Sequence, residues 1–180
     1  MSDELLERFI KEYIEAQPMP EVLFTWHGGE TLLRDLSFYK KVVMLQQRYG
    51  RGRKISNSLQ TNGVLLNEEW CKFFRDNNFL IGISIDGPEH CHNKYQKKND
   101  GNGSFSKVMH GVELLQRYNV EFNTLSVIND YNVNFPIEIY RFLKDIGSQF
   151  LQFSPIVERL NADENLKLQS PESEKGELAP

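Results

Sequence analysis

Hydrophobic positions along the chain recur in two rhythms, one helical and one strand-like, and the two alternate five times. Ser2 precedes Asp3 and Glu4, and Leu5, Phe9, Ile10, Tyr13 and Ile14 then fall on one side of a helical wheel up to about Ala16. The spacing predicts an amphipathic helix with Ser2 as its cap and two carboxylates at the positive end of its dipole. Gln17-Pro18-Met19-Pro20 ends it, because proline lacks an amide proton and biases the residue before it away from helix. Next comes a strand, Glu21 to Trp26, which runs abruptly into His27-Gly28-Gly29-Glu30.

The same alternation continues. Phe38, Val42, Leu45 and Tyr49 mark a helix between Asp35 and Tyr49 that Gly50 is placed to close, and a strand over Lys54 to Gln60 turns at Thr61-Asn62-Gly63. Asn67 caps a helix through Asn77 whose inward side is Trp70, Phe73 and Phe74. The third strand, Leu80 to Asp86, alternates most legibly, with Ile81, Ile83 and Ile85 on one face and Gly82, Ser84 and Asp86 on the other. Asp86-Gly87-Pro88 breaks it and opens a long segment from Glu89 to Gly103 that ends in a solvated loop over Lys97 to Gly103. Ser104 caps a helix carrying Phe105, Val108, Val112 and Leu115, and Asn119 separates it from a strand over Glu121 to Ile128, which ends at Asn129. Pro136 opens a helix whose buried side is Ile139, Tyr140, Leu143 and Ile146, and Gln149 to Pro155 is the last strand. Residues 1–160 therefore form one domain, and 161–180, polar and rich in turn formers, are a linker or a ragged end.

Crossovers long enough to hold a helix imply parallel strands and right-handed connections, so the chain is an α/β sheet or part of a (β/α) barrel. Either architecture gathers ligands at the carboxyl ends of the strands. Those ends carry Gly28, Gly29 and Glu30, then Gln60 with Asn62, then Ser84 with Asp86, then Asn129, then Ser154 through Glu158. One carboxylate among neutral donors and acceptors suits a polar, zwitterionic or nucleoside-like small molecule. A polyphosphate is a poor match, because no phosphate-cradling glycine loop is present.

Composition narrows the class. The 180 residues are 39% hydrophobic and 12% aromatic, enough for one buried core, and the formal charge of −4 is interspersed, which points to neither nucleic acid nor membrane as a partner. No apolar run approaches the roughly 18 residues of a membrane span and the N-terminus has no basic leader region, so the cytoplasm is the expected setting. Cys71 and Cys91 are isolated from one another, and both are expected to be reduced, Cys71 in the core. No metal motif is spaced among the four histidines: His90-Cys91-His92 reads as an incidental surface cluster, and His27 as a loop residue able to touch a ligand or to be satisfied within its loop. Ser84 has no histidine placed by sequence to activate it as a nucleophile.

Four segments, taken together and in this order, carry a resemblance: Phe24-Thr25-Trp26-His27-Gly28-Gly29-Glu30, Ser58-Leu59-Gln60-Thr61-Asn62-Gly63, Gly82-Ile83-Ser84-Ile85-Asp86-Gly87-Pro88, and Gln152-Phe153-Ser154-Pro155-Ile156-Val157-Glu158. The chain resembles the radical S-adenosylmethionine superfamily and, within it, the anaerobic sulfatase-maturating enzymes, from about Met1 to Leu160. The resemblance implies a partial (β/α)6 TIM-like barrel lacking its first strand. It also implies S-adenosylmethionine and a [4Fe–4S] cluster as cofactors, and a sulfatase polypeptide whose Cys or Ser is oxidised to formylglycine through a 5′-deoxyadenosyl radical. It places Gly28, Gly29 and Glu30 on the cofactor's methionine amino group, Gln60 and Ser84 in its pocket, and Asp86 beneath it.

Departures accompany the likeness. The family's Cys-x-x-x-Cys-x-x-Cys loop and its C-terminal cysteine-rich region have no counterpart here, so no residue is assigned to a metal and the chain alone is expected to be inactive. Gln96 stands where an arginine that pairs with the cofactor carboxylate is expected, and Thr31 where proline is usual. Two functions follow as expectations: a fragment of such a maturase core, or a non-catalytic remnant that binds a partner or a small molecule through the incomplete barrel.

Overall fold

Five parallel strands pair in chain order, β1-β2-β3-β4-β5, and a helix precedes each. The computed structural model describes residues 1–98, 101–156, 159–160 and 177–178. The strands are β1 (Glu21–Trp26), β2 (Lys54–Thr61), β3 (Phe79–Ser84), β4 (Phe122–Ile128) and β5 (Leu151–Pro155). The helices are α1 (Asp3–Ala16), α2 (Leu36–Gly50), α3 (Glu68–Asp76), α4 (Glu89–Tyr95), α5 (Phe105–Arg117) and α6 (Pro136–Asp145). Because each strand lies beside its predecessor, every right-handed crossover steps the same way and puts its helix on the same side. A doubly wound sheet would reverse once. The architecture is therefore the curled partial barrel, with helices outside and a concave inner face. Arg159–Leu160 pairs antiparallel with Glu177–Leu178, and the remainder of the expected linker lies outside the described residues. Among the described residues no helix is long and apolar enough to cross a membrane.

The core fills the space between the sheet and its helices. Val22 and Phe24 of β1 meet Leu6, Ile10 and Ile14 of α1 and Val42 and Leu45 of α2; further along, Ile81 and Ile83 pack with Phe74, Val112, Leu115 and Leu143. Strand periodicity then turns the alternate positions, including Ser58, Gln60, Gly82, Ser84 and Asn123, toward the concave face. Two expected caps form, the Ser2 hydroxyl accepting from Leu5 N at 3.3 Å and Asn67 from Trp70 N at 3.0 Å, and Asp35 caps α2 by accepting from Phe38 N at 3.1 Å.

Four expectations need correction. Glu89–Tyr95 is a helix, α4, invisible to periodicity because Glu-His-Cys-His-Asn-Lys-Tyr carries no apolar stripe. Within it, Cys91 and His92 are only 1% and 2% exposed, so of the histidine–cysteine cluster His90 alone lies at the surface. Tyr140 of α6 and Leu5 and Phe9 of α1 face outward, because the apolar stripes on these helices are wider than the surface they cover. Ser104 sits at the start of α5 but caps nothing. Its role passes to Asn93, whose Oδ1 accepts from Phe105 N at 3.1 Å.

Ser104 instead belongs to a buried relay that fastens the end of β3. His92 Nδ1 accepts from Asp86 N at 3.3 Å, which leaves the ring proton on Nε2 to donate to Ser104 Oγ at 2.9 Å; that hydroxyl donates to Gln96 O at 3.2 Å. Burial lowers the His92 pKa from its ordinary 6.5, and the nearby Asp86 charge only partly opposes it. Above pH 6.5 the ring is neutral in folded and unfolded chains alike. Below it the unfolded chain takes up a proton that the folded chain resists, so stability is lost as pH falls from 6.5 toward the lowered folded value. Urea midpoints measured between pH 7 and pH 5 should therefore fall more steeply for the wild type than for His92→Gln, which keeps an acceptor and a donor but does not titrate.

Candidate functional site

Past Trp26 the chain turns through Gly28 (φ 105°) and Gly29 (φ 54°), left-handed conformations that favour glycine, and a Cβ at either would meet nothing within 4 Å. The pair thus leaves open space over the backbone. Glu30 follows and caps a short 3₁₀ turn over Thr31–Leu33. Its Oε1 accepts from Leu32 N at 2.9 Å and from Thr61 Oγ1 at 2.6 Å, and its Oε2 accepts from Asn62 N at 2.9 Å. Thr31 Oγ1 donates to Gln60 O at 2.7 Å, and Tyr39 OH to Thr31 O at 3.1 Å. Burial first, then the Glu30 charge, pushes the Tyr39 phenol up to about 12, so it stays a donor. The expected display of Glu30 is therefore only half of its role. The carboxylate also braces the glycine turn against the end of β2, and Oε2, with one donor, keeps acceptor capacity.

The concave face is built from rows of paired residues. Gln60 pairs with Gly82 and Gly82 with Asn123; two residues higher, Ser84 pairs with Leu125 and Leu125 with Gln152. A Cβ on Gly82 would overlap Gln60 Oε1, so the missing side chain is what lets the Gln60 carboxamide lie across β3 and donate to Ser84 Oγ at 3.0 Å. These rows line a cavity of about 340 Å³ whose walls include Thr25, Ser58, Leu80, Asn123 and Gln152. Its lining has no Lys, Arg, Asp or Glu. His27, at its mouth, also lines a neighbouring cavity of about 410 Å³ with Gly28, Glu30 and Arg34.

The structure thus brings Gly28, Gly29, Glu30, Gln60 and Ser84 to one end of the sheet. Asp86 is placed differently. It is 3% exposed, with Oδ1 accepting from Val127 N at 2.8 Å and Oδ2 from Gln96 Nε2 at 2.9 Å. Gln96 accordingly serves Asp86. Asn123 went unnoticed in the sequence, although alternation within β4 carried the signal, and Gln152 was noticed only as the first residue of the fourth segment of the resemblance.

The residues present do not fit an iron–sulfur cluster. Cys71 and Cys91 are 0% and 1% exposed, burial pushes both thiols up to about 11, and no group of three potential ligands occurs among the described residues. For S-adenosylmethionine the donor set does fit: a braced carboxylate with spare acceptor capacity, an open glycine turn, and neutral amide and hydroxyl groups beside it.

Comparison with known proteins bears on the family and the fold. The family model of the radical SAM superfamily matches residues 1–143. The serine-type anaerobic sulfatase-maturating enzyme of Bacteroides thetaiotaomicron is 58% identical over 160 residues, 89% of this chain and 39% of that protein. The cysteine-type enzyme of Clostridium perfringens strain 13 is 40% identical over 154 residues, 85% of this chain and 41% of that protein. Native anSMEcpe with bound AdoMet superposes with a TM-score of 0.84 at 38% identity, covering 91% of this chain and 45% of that one. The chain spans about two fifths of the length of these curated relatives.

Removing the brace tests its structural share. Glu30→Ala leaves Leu32 N and the Thr61 hydroxyl, both partly buried, without an acceptor, and should cost about 1–3 kcal/mol of stability in urea unfolding. Thr61→Val removes one of these donors and also the hydroxyl oxygen that accepts from Gly63 N at 3.1 Å, and should cost a comparable amount.

Proposed function

Because the chain belongs to the radical SAM superfamily, we propose that it forms the S-adenosylmethionine-binding core of a sulfatase maturase, acting on a Cys or Ser of a sulfatase polypeptide in the cytoplasm. The observation that carries this reading is the braced Gly28-Gly29-Glu30 turn standing beside the Gln60–Ser84 pair on one rim. S-adenosylmethionine held there would supply hydrogen-abstraction chemistry toward a substrate carbon once cleaved by one electron from the iron–sulfur cluster of the complete enzyme, whose ligands these residues do not provide. The chain's own contribution is placement. Glu30 Oε2 would accept from the cofactor's ammonium, the glycine turn would let backbone approach it, and Gln60 with Ser84 would offer neutral hydrogen bonds. Asp86, with both oxygens engaged, would act from behind by fixing the height of Ser84 through β4. The cluster needs cysteines other than Cys71 and Cys91, so no step is assigned to it on these residues.

A second reading, a binding module without catalysis, rests on Gln96, whose amide is turned to Asp86 where the family arginine would carry charge. Both readings meet the same measurement. Calorimetry should detect S-adenosylmethionine binding to the 180-residue chain, and Gln60→Leu should weaken it about tenfold, the loss of one hydrogen bond, without moving the thermal midpoint. Absence of binding to the wild type would overturn the first reading in favour of the second.

A further inference from the structure

The concave face holds two carboxamides that the fold does not use. Asn123 on β4 and Gln152 on β5 both line the 340 Å³ cavity, and neither side chain has a hydrogen-bond partner among the described residues. Their neighbours are engaged: Gln60 donates to Ser84, Ser58 to Thr25, and Ser126 and Thr124 on the opposite face are bonded within the core. Asn123 and Gln152 are half-buried and exposed, so their isolation costs little while water reaches them. It leaves both free for a ligand.

Register sets what kind of ligand. Asn123 and Leu125 are alternate residues of β4 on one face, and Gln152 pairs directly with Leu125, so the two amides flank an apolar side chain. A carboxamide repeats the donor and acceptor of a peptide group. Two of them on either side of a leucine match one residue of an extended polypeptide, its N–H and C=O met by the amides and its β-carbon resting on Leu125. The uncharged lining disfavours an ionised side chain at that point.

We propose that Asn123 and Gln152 are substrate-contacting residues that hold the backbone of a polypeptide at the residue to be modified; this rests on the maturase reading above. Both share their cavity with His27 and with Gln60, which the maturase reading gives to the cofactor, so the titrations below separate a polypeptide contact from a cofactor contact.

The test uses the 180-residue chain, titrated with S-adenosylmethionine and with a blocked, uncharged peptide carrying serine at its centre. Side-chain amide NMR signals of Asn123 and Gln152 should shift with the peptide. Asn123→Leu and Gln152→Leu should each weaken it about tenfold, leaving S-adenosylmethionine affinity and the thermal midpoint unchanged. Asn123→Gln should recover part of the loss, and a depsipeptide with an ester in place of the serine N–H should bind the wild type as weakly as a variant binds the peptide. Equal peptide affinity in wild type and variants overturns the proposal, as does a loss of S-adenosylmethionine affinity in either variant. Wild-type binding of the cofactor but not the peptide overturns it while sparing the maturase reading; binding of neither overturns both.

Discussion

Parallel strands of unequal length leave amides unpaired wherever one strand ends and its neighbour continues, and in this fold carboxylates fill those vacancies. Glu30, beyond the end of β1, accepts the Asn62 amide just past β2, and Asp86, beyond the end of β3, accepts the Val127 amide within β4. Each extends the ladder by one rung with a side chain in place of a carbonyl. Hydroxyls do the same in the opposite sense: Thr31 Oγ1 donates to Gln60 O, and Ser126 Oγ donates to Ile85 O. The rim that offers ligand-binding groups is thus the same rim that finishes the sheet's hydrogen bonding. A group there can be essential to placement without touching a ligand.

That duality explains what could be read in the residues and what could not. The alternation of helices with five parallel strands, the helix caps at Ser2 and Asn67, and the gathering of Glu30, Gln60 and Ser84 at one end follow from local pattern plus the rule that crossovers are right-handed, whereas the choice of a partial barrel over an open sheet came only with the resemblance. Asp86 was legible as a strand-end carboxylate, but its partners Val127 and Gln96 are 41 and 10 positions away, and no periodicity announces them. Helix α4 was missed because its stability comes from inserting Cys91 and His92 between neighbours, where a stripe of aliphatic residues would have been visible. Ser104 has the identity of a cap and the position of one, yet a buried imidazole competes for its hydroxyl and wins, since His92 Nε2 has no other acceptor among the described residues.

The inner face shows the reverse economy. Between the sheet and its helices the buried amides are committed: the Gln46 and Asn57 carboxamides bond to each other, and Trp26 Nε1 donates to Asn57 Oδ1 at 2.9 Å. Inside, the polar residues stand in rows with Gly82 as a gap; among the described residues Gln60 with Ser84 and Ser58 with Thr25 are paired, and Asn123 and Gln152 are not. The cavity bounded by these rows has no carboxylate or cation in its wall, and the charged groups Glu30 and Arg34 belong to the cavity next to it.

The stagger of the strands has one more consequence. The row Gln60, Gly82, Asn123 lies one step below the row Ser84, Leu125, Gln152, so a line drawn along either row climbs around the curved wall like the thread of a screw. A thread has a direction of travel. A linear molecule laid along it from β2 toward β5 presents its groups to a different sequence of partners than the same molecule reversed, and the wall can therefore tell the head of a chain from its tail.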